Sequence, residues 1–127
     1  MASAVLDASA LLAHIGQEPG AGAVDDLDDA ALMSAVNLAE VFAKLSEHGL
    51  SQDQADMIVY RYRLDIVPFD EDLARQTGAL RQATMSLGLS LGDRACLALA
   101  QRERLPVLTA DRSWARLDLG LSITVVR

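Results

Sequence analysis

A chain of 127 residues is the size of one domain, so residues 1–127 are read as a single unit around one core. With 51% hydrophobic and 23% charged residues, the composition excludes a disordered polyelectrolyte, and no apolar run is long enough to span a membrane. The lone Cys96 excludes an internal disulfide framework and fits a reducing cytosol, and no basic residue precedes the first apolar run as in a signal peptide. The formal charge of −7 argues against a surface that grips nucleic acid broadly, and favours a metal site or a basic partner. Ten arginines accompany Lys44, and arginine suits bidentate contact with phosphate or carboxylate.

Along the chain, residues 4–6 read as a short buried strand closed by Asp7, and residues 8–13 as the start of a helix. Glu18-Pro19-Gly20 is a break. Residues 22–29 hold four aspartates among small residues and read as a solvated helix face or loop. Residues 31–34 form a second strand. Leu38, Val41, Phe42 and Leu45 follow helical spacing, which predicts an amphipathic helix over 36–47 ended by Gly49. Ser51 and Gln54 make a capping box for a helix to about residue 62. Residues 65–69 look like a strand. Asp70 is an N-cap, with Glu71 and Asp72 in the first turn of a helix reaching about residue 85. Residues 86–92 read as a loop with two glycines, and 93–104 as a helix buried on most sides. A strand over 106–108 leads to Thr109-Ala110-Asp111, a short helix carries Trp114, and 122–126 is the last strand. Strands alternating with helices predict a parallel sheet covered on both faces, with ligands at the carboxyl ends of the strands.

Four acids share that edge: Asp7 after the first strand, Glu40 early in the helix after the second, Asp93 opening the buried helix, and Asp111 past the fourth strand. Each has a modest explanation. Asp7, Asp93 and Asp111 can cap helices. Glu40 can pair with Lys44 at i, i+4 for about 0.3–0.5 kcal/mol, and it lies opposite the apolar stripe of its helix. Together, however, four carboxylates repel, and a divalent cation such as magnesium or manganese removes the repulsion with oxygen ligands. His14 and His48 stand far apart and read as ordinary surface histidines rather than a zinc pair.

The stretches VLDASALLA, VNLAEVFAKL, LSLGDRACLALA and PVLTADRSW, in this order, resemble the PIN-domain nucleases, and among them the VapC-type toxins of bacterial toxin–antitoxin systems. The resemblance implies a three-layer α/β/α sandwich around a parallel sheet of four or five strands. It implies that Asp7, Glu40, Asp93 and Asp111 hold Mg2+ or Mn2+, with Ser9, Thr109 and Asn37 as polar supports. The implied activity is endoribonuclease cleavage of structured RNA, often tRNA or ribosomal RNA, in the cytoplasm. The implied partners are a VapB-type antitoxin and a second copy of the chain in a homodimer. Some members carry a further acid after the last aspartate; here Arg112-Ser113-Trp114-Ala115 follows, so the fourth ligand position is the least supported.

Metal-assisted hydrolysis fits this set of acids, because a bound metal activates water and offsets phosphate charge without a histidine or serine nucleophile. Arg94 and Arg112, each next to a site acid, are the natural RNA contacts. Arg61, Arg63, Arg75 and Arg81 could extend a track, although solvated helix faces explain them as well. An acidic site is also complementary to a basic antitoxin segment. A phosphoacceptor receiver domain would want paired acids after the first strand and a late lysine, where this chain has Ala8 and only Lys44. A dehalogenase-like phosphatase would want an acid at Ser9. The alternatives that stay open are a non-catalytic PIN-like binding module and a PIN nuclease outside a toxin–antitoxin pair.

Overall fold

In the computed structural model, which describes residues 2–17 and 30–126, five strands form one all-parallel sheet. They are β1 (Val5–Leu6), β2 (Ala31–Ser34), β3 (Leu64–Val67), β4 (Val107–Thr109) and β5 (Ile123–Val125), ordered β3-β2-β1-β4-β5. The chain builds outward from β1 to β3, then crosses back to add β4 and β5 on the other side of β1. Strand order therefore reverses between β1 and β4, which opens a crevice at their carboxyl ends.

The central strand is only two residues long, and its alternation assigns the two faces. Leu6 joins one core cluster with Met33, Leu11, Val41 and Leu45. Val5 joins the other with Val107, Leu73, Leu97, Leu99 and Trp114. Helices α1 (Ala8–Ile15), α2 (Ala35–Glu47) and α3 (Gln52–Val59) contribute to the first cluster. Helices α4 (Glu71–Ala79) and α6 (Leu91–Glu103) contribute to the second. This is the parallel sheet covered on both faces expected from the alternation, and the three-layer sandwich that the resemblance implies, with five strands.

Local signals account for most of the elements. Ser34 ends β2 and caps α2, its hydroxyl accepting from Val36 N–H at 3.2 Å. Ser51 and Gln54 form both bonds of their capping box. Asp70 caps α4 by accepting from Leu73 N–H at 2.9 Å.

Three helix boundaries differ from expectation, and β3 ends at Val67 rather than residue 69. The helix after Asp70 stops at Ala79 rather than near residue 85; a short α5 (Arg81–Thr84) and a 3-10 turn over Met85–Leu87 follow. Thr84 Oγ1 donates to the Leu80 carbonyl at 2.8 Å, the kind of back-bonding that bends a helix, and Gly78 weakens the preceding turn. The helix expected from Asp93 starts at Leu91, so the expected loop over 86–92 is shorter. Ser90 is its cap, and Asp93 closes the capping box from the third helical position. The helix after Ser51 ends at Val59, short of residue 62. The break at Glu18-Pro19-Gly20 and the aspartate-rich stretch at 22–29 lie outside the described residues. Among the described residues, no helix is long and apolar enough to cross a membrane.

Candidate functional site

Asp7 is the first residue past β1, at the reversal point, and is only 4% exposed. It occupies the N-cap position of α1, but its side chain makes no capping bond. Its Oδ2 instead accepts from Ser9 Oγ at 2.6 Å and from Thr109 Oγ1 at 3.0 Å. Those hydroxyls are held in turn by the strand β4 side of the crevice. Ser9 Oγ accepts from Ala110 N–H at 2.9 Å, and Thr109 Oγ1 accepts from Asp111 N–H at 3.1 Å. Each hydroxyl has one proton, and both protons are committed to Asp7, so the 3.2 Å approach of Ser9 Oγ to Thr109 Oγ1 adds no further bond. Among the described residues Asp7 Oδ1 receives no hydrogen bond.

Burial pushes the Asp7 carboxyl up to about 6; the bonds from Ser9 and Thr109 pull it back, and the charges of Asp93 and Glu40 push it further up. Both acids come from other elements. Glu40 lies on the exposed side of α2, where its Oε1 accepts from Asn37 Nδ2 at 2.8 Å. Asn37 is buried and also donates to the Gly92 carbonyl at 3.0 Å, so it links α2 to the start of α6. Asp93 Oδ2 accepts from Ser90 N–H at 2.9 Å. Cys96, one turn further along α6, senses the same group: burial, then the charges of Asp7, Asp93 and Glu40, hold its thiol well above the ordinary value. Three carboxylates from three elements thus converge electrostatically at the reversal point. Lys44, the partner in the modest explanation of Glu40, pairs with Glu47 instead at 3.4 Å.

Asp111 is placed differently and is not among the charges that act on Asp7. Its Oδ1 accepts from Ser113 N–H at 2.9 Å and Ser113 Oγ at 2.7 Å, capping the 3-10 turn Arg112–Arg116. With Ser9, Ala110 and Arg112 it lines an open pocket of about 530 Å³ beside Asp7. Arg94 turns towards α4, where it donates from Nη1 to the Thr77 carbonyl at 3.1 Å. His14 is half-buried rather than an ordinary surface histidine: its Nδ1 lies 2.8 Å from Tyr62 Oη and the rings meet edge to face. His48 is exposed, as expected. The contributions of Gly92 and Ser113 were not anticipated from the sequence. The S-x-x-D spacing of Ser90 and Asp93 was the available signal for the helix start that places Gly92.

The donors facing the crevice are carboxylate and hydroxyl oxygens, the set preferred by magnesium and manganese. Among the described residues, no three acid, histidine or cysteine side chains already converge at metal-ligand spacing. The fit lies in donor chemistry and charge: a buried carboxyl faced by two others is relieved by a cation.

A doubly wound parallel sheet with carboxylates gathered at its reversal point defines an α/β domain with an acidic cleft. The chain belongs to the PIN domain family, whose model matches residues 4–119. No curated relative matches its sequence. Among solved structures, it is similar to a toxin–antitoxin complex from Klebsiella pneumoniae at 22% identity and TM-score 0.76, covering 98% of each chain. DNA-bound VapBC from Salmonella typhimurium matches at 20% identity and TM-score 0.76, over 100% of both chains. A sarcin–ricin-loop-cleaving VapC toxin from Mycobacterium tuberculosis matches at 14% identity and TM-score 0.71, over 91% of this chain and 97% of that one.

Proposed function

We propose that the chain is the toxin of a toxin–antitoxin pair and a metal-dependent endoribonuclease acting on structured RNA, tRNA or ribosomal RNA. The observation that carries this reading is Asp7, buried and pushed up to about 6 among the charges of Asp93 and Glu40. Asp7, Glu40 and Asp93 would hold Mg2+ or Mn2+, with Asp111 as the outer acid. When bound, the ion supplies activated water and offsets charge on the scissile phosphate.

The chain's own residues do the rest. Ser9 and Thr109 fix Asp7 through Oδ2 and leave Oδ1 for the ion. Asn37 orients Glu40, the most exposed of the three acids, which would serve as a proton acceptor. Arg112, on the pocket beside Asp7, meets an RNA phosphate. Arg94 is the weaker candidate for that role, because it donates into the α4–α6 interface. The cleft is acidic in a chain of net charge −7, which suits a basic segment of a VapB-type antitoxin. The similar toxin–antitoxin complex from Klebsiella pneumoniae and the VapBC structure from Salmonella typhimurium support this pairing. A cytoplasmic homodimer completes the reading.

Purified wild type is expected to cleave tRNA or ribosomal RNA with Mn2+ and to stop when the ion is chelated, and Asp7→Asn is expected to be inactive at matched circular dichroism. Undiminished cleavage by Asp7→Asn overturns the site. Absence of cleavage by wild type on either RNA overturns the nuclease and leaves a binding module. Growth unaffected by the chain expressed alone, with cleavage intact, overturns only the toxin.

A further inference from the structure

Asn37 is fully buried but only half satisfied. Its Nδ2 donates to Glu40 Oε1 at 2.8 Å and to the Gly92 carbonyl at 3.0 Å, while its Oδ1 is buried with no partner among the described residues. An amide kept only for packing would not be expected to carry an orphan oxygen, because that oxygen loses its water for nothing in return. The end that is satisfied ties Glu40 to the first turn of α6.

Gly92 completes the arrangement. It lies inside a helix and is absent from the glycines with positive φ, so its backbone does not require glycine. What the glycine gives is room for a side chain: a Cβ there would lie 2.6 Å from Glu40 Cδ as that residue stands. The Glu40 carboxylate rests where that Cβ would be, one residue before Asp93.

We propose that Asn37 and Gly92 form a seat that fixes the Glu40 carboxylate against the first turn of α6 and so sets its spacing to Asp93 and Asp7 for a divalent cation. The proposal rests on the metal-nuclease reading above. Asn37 and Gly92 are positioning residues; neither touches the substrate.

Gly92→Ala tests the seat. Alanine suits a helical backbone better than glycine, and the atoms it would strike are the mobile end of a glutamate, so the fold accommodates it. Thermal unfolding of the metal-free variant is expected at or above the wild-type temperature. Mn2+ affinity by titration calorimetry is expected to fall roughly 10–100-fold, as for lost supports of metal ligands. In a Glu40→Gln background the same substitution is expected to change Mn2+ affinity by less than about twofold, because the group it displaces no longer matters. Asn37→Ala, which removes the donor without adding charge, is expected to weaken Mn2+ in the same way. Wild-type affinity in Gly92→Ala overturns the seat, as does an undiminished loss in the Glu40→Gln background. If wild type binds no Mn2+, the metal reading itself falls; if wild type binds and Gly92→Ala is unchanged, only the seat falls.

Discussion

Two stretches of this chain have the same local plan and different fates. Asp7-Ala8-Ser9 follows β1 and Asp111-Arg112-Ser113 follows β4, so each is an Asp-x-Ser turn at the carboxyl end of a neighbouring strand. In both, the serine hydroxyl donates to the aspartate, at 2.6 Å and 2.7 Å. Asp111 also accepts from the Ser113 N–H and caps the turn that follows, which is a local task. Asp7 makes no such capping bond and turns to Thr109, 102 residues away, inside the sheet. Its burial beside two further acids raises its pKa. Identical local chemistry therefore gives a cap in one place and a buried carboxyl with a raised pKa in the other. The difference is burial: Asp7 closes the central strand and is almost wholly buried, whereas Asp111, after the neighbouring β4, is partly exposed on the open pocket.

The largest separation of the two turns is expected from Asp7→Asn. Its ordinary carboxyl value is 3.8 and its folded value about 6, so between these pH values the folded state holds more protons than the unfolded one. The contribution of Asp7 to stability is therefore greatest below about pH 4 and is lost as pH rises through 6. At neutral pH this amounts to a cost of about 3 kcal/mol, on an order-of-magnitude basis. Urea unfolding should find Asp7→Asn more stable than wild type at pH 7 and equal to it near pH 4. Equal stability at both pH values would mean that Asp7 is not held against its charge. Added Mn2+ should stabilise wild type and leave Asp7→Asn unmoved.

Thr109→Val should come next, because it couples the two turns. It removes a donor from Asp7 and strands the Asp111 N–H, costing about 1–3 kcal/mol for the unpaired group. Carboxyl-carbon NMR should show Asp7 titrating at higher pH than in wild type; a lower value would contradict the role given to Thr109. The smallest effect belongs to the Asp111 turn. Asp111→Ala should cost about 1 kcal/mol as a lost cap, and Asp111→Asn only a few tenths, since asparagine caps equally well. Cleavage by Asp111→Asn should exceed that by Asp7→Asn, and the reverse order in a gel assay would make Asp111 the principal ligand.

What could be read in advance was what depends on nearby residues. The stripe of α2, the capping box at Ser51 and Gln54, and the cap at Asp70 each involve partners within a few positions, and the structure keeps all three. The end of α4 escaped because the sequence stays helix-permissive to residue 85, whereas the helix breaks at Leu80, whose carbonyl accepts from the Thr84 hydroxyl. The start of α6 was misjudged by two residues, because Asp93 looked like a cap when it closes a box opened by Ser90. His14 looked isolated because Tyr62 is 48 residues away. Gly92 gave no signal at all: its importance is the space its missing Cβ leaves for Glu40, and space between two helices is not written in either one.

The sequence by itself determined a parallel α/β domain and the acids that stand at its strand and helix ends, because periodicity, caps and strand–turn junctions are short-range properties of the chain. It also carried enough pattern to point to the PIN domain family. Only the tertiary structure decided which acids act on one another. Electrostatic coupling and desolvation depend on distance through the fold, and those distances are set by packing β1 beside β4 and α2 against α6. That packing draws Glu40 and Asp93 towards Asp7, leaves Asp111 partly exposed as the cap of its own turn, and turns Arg94 away to Thr77.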